Sequence, residues 1–256
     1  MKWFVFCKSD LLLKLDSDGT YTIPSGNEPP VPTKPWTNVM IVTPMEDGEE
    51  VRAFSIDSPV VGMKDYEMCP LRQSYYKLPA PLYLKAGKCQ ELLFWDSNTK
   101  YCGVCGGPMA MSTEISKKCT MCGKEIWPSP AIAVITLIKR DDKALLVQAK
   151  NFRTDHYGLV AGFVELGETL EEAARREIIE ETGIEVGELK YIASQPWPYP
   201  CGLMVGFMTD YKSGEICLQR SELKDGQWFD KDHLPKLPEK LSIARWLIDN
   251  WLNEKV

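Results

Sequence analysis

The chain has 256 residues, of which 44% are hydrophobic and 26% are charged, so it is long enough to form one large domain or several small ones around a sizeable core. Its formal net charge is −6, and such an acidic chain is not built to coat nucleic acid by bulk electrostatics. The two histidines, His156 and His233, are too few for a histidine-rich catalytic zinc site, which leaves carboxylates as the expected catalytic groups.

Residues 1–95 are predicted to form a small, mostly β domain. Short apolar runs alternate with turn residues: a strand begins the chain at Met1–Cys7, a turn follows at Asp16–Gly19, and a proline-rich loop runs from Pro24 to Pro35. This part of the chain carries no motif with a recognisable chemistry.

Two cysteine pairs dominate residues 96–128. Cys102 and Cys105 form one C-x-x-C pair, Cys119 and Cys122 form another, and thirteen residues separate the pairs. Four thiolates at this spacing suit a closed zinc ribbon, in which Zn²⁺ has a structural and no catalytic role. Two disulfides or a redox-active pair are alternatives that the spacing leaves open. The other five cysteines are scattered, and no apolar run is long enough to cross a bilayer, so a reducing, cytoplasmic location is expected.

A second body is predicted over residues 129–256. Hydrophobic periodicity predicts a buried strand, a turn and a returning strand at its start, and one helix that is bounded by a capping box and by a glycine stop. The predicted elements are strands at Ala131–Ile138, Ala144–Val147, Leu203–Thr209, Ile216–Leu218 and Gln227–Phe229, and helices at Thr169–Thr182 and Lys240–Asn253.

The helix predicted at Thr169–Thr182 carries the most informative residues. Glu177, Glu180 and Glu181 are spaced i, i+3 and i+4, so their carboxylates share one face and repel one another unless a cation lies there. Hard oxygen ligands of this kind suit Mg²⁺ or Mn²⁺, which also bind substrate phosphates. A solvated acidic face, in which Arg176 simply pairs with Glu180, is the alternative that composition alone favours.

A longer pattern around this helix resembles the Nudix box. Its fixed positions are occupied by Gly162, Glu168, Arg176, Glu177, Glu180, Glu181 and Gly183. At ordinary residue usage, a match at all of these positions would arise by chance about once in 10⁸ windows. The resemblance implies an α+β protein in which residues 129–256 form the Nudix α/β/α sandwich. It also implies hydrolysis of a nucleoside diphosphate linked to another group.

The resemblance further implies catalytic and metal-binding roles for particular residues. Box glutamates bind the catalytic Mg²⁺ or Mn²⁺ in the family, which points to Glu177 and Glu181, with Glu180 as a further ligand or base. The backbone carbonyl of Ala161 is implied as another ligand, and Glu222 matches a further metal-binding carboxylate. Metals in such a site neutralise the diphosphate and activate the attacking water.

A proline-rich segment narrows the substrate. Ser194-Gln195-Pro196-Trp197-Pro198-Tyr199-Pro200 is stiff and aromatic, which suits a wall for a planar base but is also typical of a surface loop. It resembles the S-Q-P-W-P-F-P-x-S motif of the NADH pyrophosphatase family of Nudix enzymes, whose order of N-terminal domain, zinc ribbon, box and motif this chain shares. Tyr199 replaces the phenylalanine, and Gly202 replaces the final serine.

Substrate-contact positions of that family fall on a defined set of residues here. Phe163 matches an aromatic that stacks on the nicotinamide, and Trp127 matches a position from which the partner subunit stacks, so a homodimer is implied. Both side chains could instead pack inside the protein. The other matched positions are Glu114, Gln195, Pro196, Trp197, Pro198, Tyr199, Pro200, Cys201, Gly202 and Ala244.

The implied function is hydrolysis of NADH or NAD to AMP and nicotinamide mononucleotide, with NAD-cap removal from RNA 5′ ends as the same bond cleavage. One alternative is a Nudix diphosphatase for ADP-ribose or dinucleoside polyphosphates, which the glycine at position 202 keeps open. The other is a non-catalytic nucleotide-sensing zinc-ribbon protein. An intact box and an acidic chain both disfavour this last alternative.

Overall fold

The computed structural model describes residues 1–152 and 154–253, and the chain divides into two compact units. The first unit comprises residues 1–129 and 198–201, and the second comprises 130–197 and 202–256. Within the described residues, no helix is both long and apolar enough to cross a membrane.

The first unit is built on a six-stranded sheet with the order β3-β2-β1-β5-β4, in which β6 also pairs with β2. Alternation along β1 sends Phe4 and Phe6 to one core and Trp3 and Val5 to another, as expected of a strand that is covered on both faces. Its strands are β1 Lys2–Cys7, β2 Asp10–Leu15, β3 Tyr21–Thr22, β4 Met40–Val42, β5 Val51–Ser55 and β6 Tyr66–Pro70.

Two helices follow that the sequence analysis did not predict: a short α1 at Leu71–Ser74 and a long α2 at Ala80–Asn98. The long helix starts after Pro79 and buries Leu82, Ala86 and Cys89 at helical spacing against the sheet. The first unit therefore combines its strands with a 19-residue helix that covers the sheet.

A small three-stranded sheet follows, with β7 Met109–Thr113, β8 Ser116–Cys119 and β9 Glu125–Ile126. Cys119 ends β8, and Cys102, Cys105 and Cys122 lie outside the strands. The buried Lys117 joins this sheet to the end of α2. Its ammonium lies 2.7 Å from the Asp96 carboxylate and donates to the Asp96 and Thr99 carbonyls at 2.8 and 3.2 Å. A cation at a helix C-terminus interacts favourably with the helix dipole, so this contact stabilises the junction.

The second unit contains a seven-stranded mixed sheet with the order β13-β15-β10-β11-β16, in which β12 pairs with β10 and β14 pairs with β15. The prediction of a strand at Ile216–Leu218 is wrong, because these residues have no regular secondary structure and lie between β15 and β16. The elements are β10 Ala131–Arg140, β11 Lys143–Ala149, β12 Val160–Phe163, α3 Leu170–Thr182, β13 Glu185–Val186, β14 Lys190–Pro196, β15 Gly202–Ser213, β16 Leu223–Asp230 and α4 Ile243–Asn253.

Alternation along β10 explains how helices cover both faces of this sheet. Ile135 and Leu137 pack in one core with Leu247 and Trp251 of α4. The intervening residues pack in cores that contain α3 residues, as Val134 does with Ala173 and Ala174. The sheet therefore lies between α3 and α4, and the expected α+β sandwich is confirmed.

Candidate active site

The box helix α3 has the ends that its sequence predicts. Thr169 accepts a hydrogen bond from the Glu172 N–H, and the Glu172 carboxylate accepts one from the Thr169 N–H, which completes a capping box. The helix ends at Gly183, whose left-handed φ of 72° is unfavourable for other residues. Capping fixes the helical register, and the register fixes which face the glutamates occupy.

Gly162 on β12 allows the Glu177 carboxylate to approach the sheet backbone. A Cβ atom built at position 162 would overlap the Glu177 carboxylate, so no larger residue fits without moving Glu177. This is the physical reason for a glycine at the first box position. Ala161, whose carbonyl is an expected metal ligand, is the residue before this glycine.

Arg176 organises the carboxylates at the exposed side of the helix. Its guanidinium contacts Glu168 at 2.6 and 2.9 Å, Glu177 at 2.8 Å and Glu180 at 3.2 Å, and it donates to the Phe163 carbonyl at 2.9 Å. The Arg176 hydrogen bonds lower the pKa of the Glu168 carboxyl to about 2. An Arg176–Glu180 ion pair, which the alternative of a solvated acidic face requires, is therefore present. However, the same guanidinium also binds Glu177 and the Phe163 carbonyl of the box loop.

Glu181 differs from its neighbours because its side chain is buried, with 5% of its surface exposed. Burial is the main reason why the pKa of its carboxyl is raised to about 8, and the charges of Glu177, Glu222 and Glu180 contribute to this rise in that order. Among the described residues, no lysine or arginine pairs with this carboxylate. A buried acid that faces other acids is the electrostatic setting that a bound cation would relieve.

Glu222, whose expected role rests on the family resemblance, lies close enough to Glu181 to raise the pKa of its carboxyl. It precedes β16, and its backbone carbonyl accepts a hydrogen bond from the Lys150 N–H at 2.7 Å. The fold thus brings Glu222 near Glu181 from a distant part of the sequence. Their roles as ligands stay a prediction.

The expected substrate contacts in the second unit have differing environments. Phe163 is 66% exposed beside the box, so it is not a core residue. Gln195 accepts a hydrogen bond from the Ile243 N–H at 2.7 Å and donates to the Leu241 carbonyl at 2.8 Å, so its amide positions the start of α4, where Ala244 lies. This structural use of Gln195 was not apparent from the sequence.

The ends of the proline-rich segment are held by a backbone hydrogen bond from the Trp197 N–H to the Gly202 carbonyl at 2.7 Å. A Cβ atom at position 202 would lie 3.2 Å from the Ala131 carbonyl and 3.4 Å from that of Trp197, which is tight. Glycine at position 202 therefore permits this close backbone packing, and it also lacks the hydroxyl of the serine that the family motif has here. Pro196 is the last residue of β14.

The tip of the segment, residues 198–201, belongs to the first unit. Pro198 packs on Gly87 of α2, and the Tyr199 hydroxyl lies 2.8 Å from that of Tyr83. The Arg72 guanidinium lies 5.7 Å from the centre of the Tyr199 ring. The hydroxyl that distinguishes Tyr199 from phenylalanine is therefore used in a contact with α2.

The remaining residues of this set are also in the first unit. Cys201 is half-buried near Glu91, and burial raises the pKa of its thiol. Pro200 is exposed, as are Glu114 in the ribbon and Trp127 just after it, whose side chain is 55% exposed. An exposed tryptophan fits a binding surface better than a core.

The four ribbon cysteines form one cluster, whose sulfur atoms all lie within 4.8 Å of one another. The Cys102 and Cys122 sulfurs are 3.7 Å apart and those of Cys105 and Cys119 are 3.5 Å apart, and all four are free thiols. Sulfurs bound to a single Zn²⁺ at ordinary bond lengths are roughly 3.8 Å apart. Backbone N–H groups donate to Cys119 and lower the pKa of its thiol to about 6, which favours the thiolate. The cluster therefore fits a metal ion.

Comparison with known proteins defines the class. The NUDIX domain family matches residues 127–251, and the family described as NADH pyrophosphatase-like rudimentary NUDIX domain matches residues 1–95. A solved NUDIX hydrolase from Nitrosomonas europaea, 21% identical, superposes with a TM-score of 0.53 over 61% of this chain and 92% of that one, which supports the fold. The N-terminal part, which carries no motif with a recognisable chemistry, thus matches a domain described as a rudimentary form of the NUDIX domain.

Relatives with known names define the group within that class. The NAD-capped RNA hydrolase NudC of Pseudomonas aeruginosa strain LESB58 is 39% identical over 206 residues, which are 80% of this chain and 74% of that protein. The NAD-capped RNA hydrolase NudC of Escherichia coli O157:H7 is 42% identical over 186 residues, 72% of each chain. The chain belongs to the Nudix hydrolase family, in the group with an NADH pyrophosphatase-like N-terminal domain.

Proposed function

We propose that this enzyme hydrolyses the diphosphate bond of NADH and NAD, to give AMP and nicotinamide mononucleotide, and cleaves the same bond in NAD caps at RNA 5′ ends. The observation that carries the proposal is the buried Glu181, with Glu177 and Glu222 near enough to raise its pKa, in a chain related to named NAD-capped RNA hydrolases. The exposed Phe163 of the box supports it. The proline-rich segment supports a dinucleotide as the substrate class.

The donor set fits a divalent metal. Glu177 reaches the backbone at Gly162 because a glycine leaves room for it, and the buried Glu181 has acidic rather than basic neighbours. Glu177, Glu181, Glu222 and the Ala161 carbonyl would hold Mg²⁺ or Mn²⁺, which prefer such oxygen ligands. When bound, the metal would neutralise diphosphate charge and lower the pKa of the attacking water.

The protein's own residues contribute orientation and electrostatics. Arg176 fixes the Glu177 carboxylate and ties the box loop to the helix through the Phe163 carbonyl, so it positions the ring of Phe163 relative to the glutamates. Phe163 offers an exposed aromatic face for the nicotinamide ring. Glu180, exposed at the edge of the cluster, is a candidate to accept a proton.

The ribbon would hold Zn²⁺ through Cys102, Cys105, Cys119 and Cys122 as a structural ion, because four thiolates leave no coordination position open. The exposed Trp127 supports a homodimer in which this ring contributes to the partner's substrate site. Free thiols at all nine cysteines support a reducing, cytoplasmic location.

A second candidate is a Nudix diphosphatase that prefers ADP-ribose or a dinucleoside polyphosphate. The observation that favours it is Gly202, which leaves no side-chain hydroxyl at the last motif position. In either case the catalytic carboxylates are the same.

The test is to incubate the purified protein with NADH, with and without Mn²⁺ or Mg²⁺, and to resolve the products. The expected result is AMP and reduced nicotinamide mononucleotide, formed only when metal is present and lost in Glu177→Gln. Dinucleotide binding without any hydrolysis would instead support a nucleotide sensor.

A further inference from the structure

An irregular segment between β15 and β16 connects the box helix to Glu222. The Cys217 N–H donates to the Thr182 carbonyl at 2.8 Å, and the Gln219 N–H donates to the Glu181 carbonyl at 2.9 Å. These carbonyls belong to the last turn of α3, where a helix has no internal donors to satisfy them. The segment therefore completes the helix end and brings Gln219 against the backbone of the buried Glu181.

From Gln219 the contacts lead directly to Glu222. The Gln219 carbonyl accepts hydrogen bonds from the N–H groups of Glu222 and Leu223, each at 3.0 Å. Its side-chain amide nitrogen lies 3.4 Å from one carboxylate oxygen of Glu222 and donates to it. Together with the hydrogen bond from Lys150, these contacts restrain both the backbone and the carboxylate of Glu222.

We propose that Gln219 is a positioning residue that holds the Glu222 carboxylate in the orientation required to bind divalent metal with Glu181 and Glu177. This inference rests on the proposed function, because it presumes that Glu222 is a metal ligand. Gln219 contacts two residues of the proposed site at once. Its backbone N–H donates to the Glu181 carbonyl, and its side-chain amide donates to the Glu222 carboxylate.

The chemistry of the amide explains why a glutamine suits this position. An amide donates to a carboxylate without neutralising it, so Glu222 keeps its charge for the cation. Arg176, in contrast, forms ion pairs with Glu177 and Glu180. A lysine or arginine at 219 would compete with the metal for Glu222, and a carboxylate there would repel it.

The variant that isolates the side chain is Gln219→Met, which keeps the length of the side chain and all three backbone hydrogen bonds of residue 219 but removes the side-chain donor. Binding of Mn²⁺ is measured by electron paramagnetic resonance, which distinguishes free from bound Mn²⁺ and needs no substrate. The protein is first loaded with zinc so that the cysteine cluster is filled. Gln227→Met, on the exposed side of β16, is the matched control.

The expected result is that half-saturation by Mn²⁺ shifts about tenfold in Gln219→Met, the lower end of the range for residues that orient metal ligands. The same shift is expected in the Mn²⁺ dependence of hydrolysis, while KM for NADH at saturating Mn²⁺ and the melting temperature stay near wild type. Gln227→Met should bind Mn²⁺ like the wild type, and Glu222→Gln should bind it at least as weakly as Gln219→Met.

Mn²⁺ binding by Gln219→Met within twofold of wild type would overturn the inference, and so would unchanged binding in Glu222→Gln. Failure of the proposed function is a separate outcome. If the wild type binds Mn²⁺ but hydrolyses no dinucleotide, the substrate assignment is wrong, whereas the binding comparison still decides the role of Gln219.

Discussion

Replacing Glu181 by glutamine should stabilise the protein and inactivate it at the same time. The carboxyl is buried and its pKa in the folded protein is raised to about 8, against an ordinary value of 4.5. Between these two values the folded state binds more protons than the unfolded state, so the stability of the protein without Mg²⁺ or Mn²⁺ falls as pH rises. Glutamine has nearly the same shape and does not ionise.

The size of the effect follows from the shift in pKa. Each unit corresponds to about 1.4 kcal/mol, so the wild type should lose about 2–3 kcal/mol relative to Glu181→Gln between about pH 5.5 and about pH 7.5. For a chain of this size the loss corresponds to roughly 5–10 °C in melting temperature. Bound metal should reverse the difference, because it stabilises the ionised Glu181 of the wild type.

The assay is thermal unfolding of both proteins at the two pH values, without added Mg²⁺ or Mn²⁺ and then with Mn²⁺. Chelators are avoided, since they would also remove zinc from the cysteine cluster. We expect Glu181→Gln to be the more stable protein at the higher pH, to gain little from Mn²⁺, and to lose hydrolysis. Parallel melting curves for the two proteins at both pH values would refute the electrostatic account of Glu181.

Three other substitutions test separate parts of the structure. Gly162→Ala should displace the Glu177 carboxylate and lower kcat at least about tenfold while the protein still folds. Steady-state kinetics would measure kcat, and circular dichroism would check folding. An unaltered kcat would contradict the close packing of Gly162 on Glu177. Phe163→Ala should raise KM for NADH by about tenfold with a change in stability below about 0.5 kcal/mol, because the ring is exposed, and an unchanged KM would exclude the stacking role. Gln195→Ala should cost about 1–2 kcal/mol in urea unfolding, because it leaves the start of α4 without two hydrogen bonds; wild-type stability would show that they contribute little.

The sequence predicted the box helix and its surroundings well because these features are local. Thr169 and Gly183 set the ends of α3 through contacts within a few residues, and the spacing of Glu177 and Glu181 follows from the helical period. The cysteine cluster was equally apparent, because two short C-x-x-C turns place their sulfurs by local geometry. Patterns of this kind need no knowledge of the tertiary structure.

The features that the sequence did not indicate depend on long-range packing. The spacing of Leu82, Ala86 and Cys89 would have predicted α2, but short apolar runs nearby favoured strands. The contribution of Gln219 and the capping role of Gln195 depend on which distant backbone groups lie beside them. Likewise, Glu181 is buried whereas its sequence neighbour Glu180 is exposed. This difference results from the fold, and the spacing of the glutamates does not predict it.

The central claim is metal-dependent cleavage of a nicotinamide dinucleotide, and competition between substrates tests it most directly. Equal amounts of NADH, NAD⁺, ADP-ribose and diadenosine tetraphosphate are incubated with the protein and Mn²⁺, and the products are resolved over time. The account predicts that AMP and nicotinamide mononucleotide from NADH or NAD⁺ accumulate well ahead of the other products. Faster cleavage of ADP-ribose or of the tetraphosphate, or no product from any of the four, would contradict it.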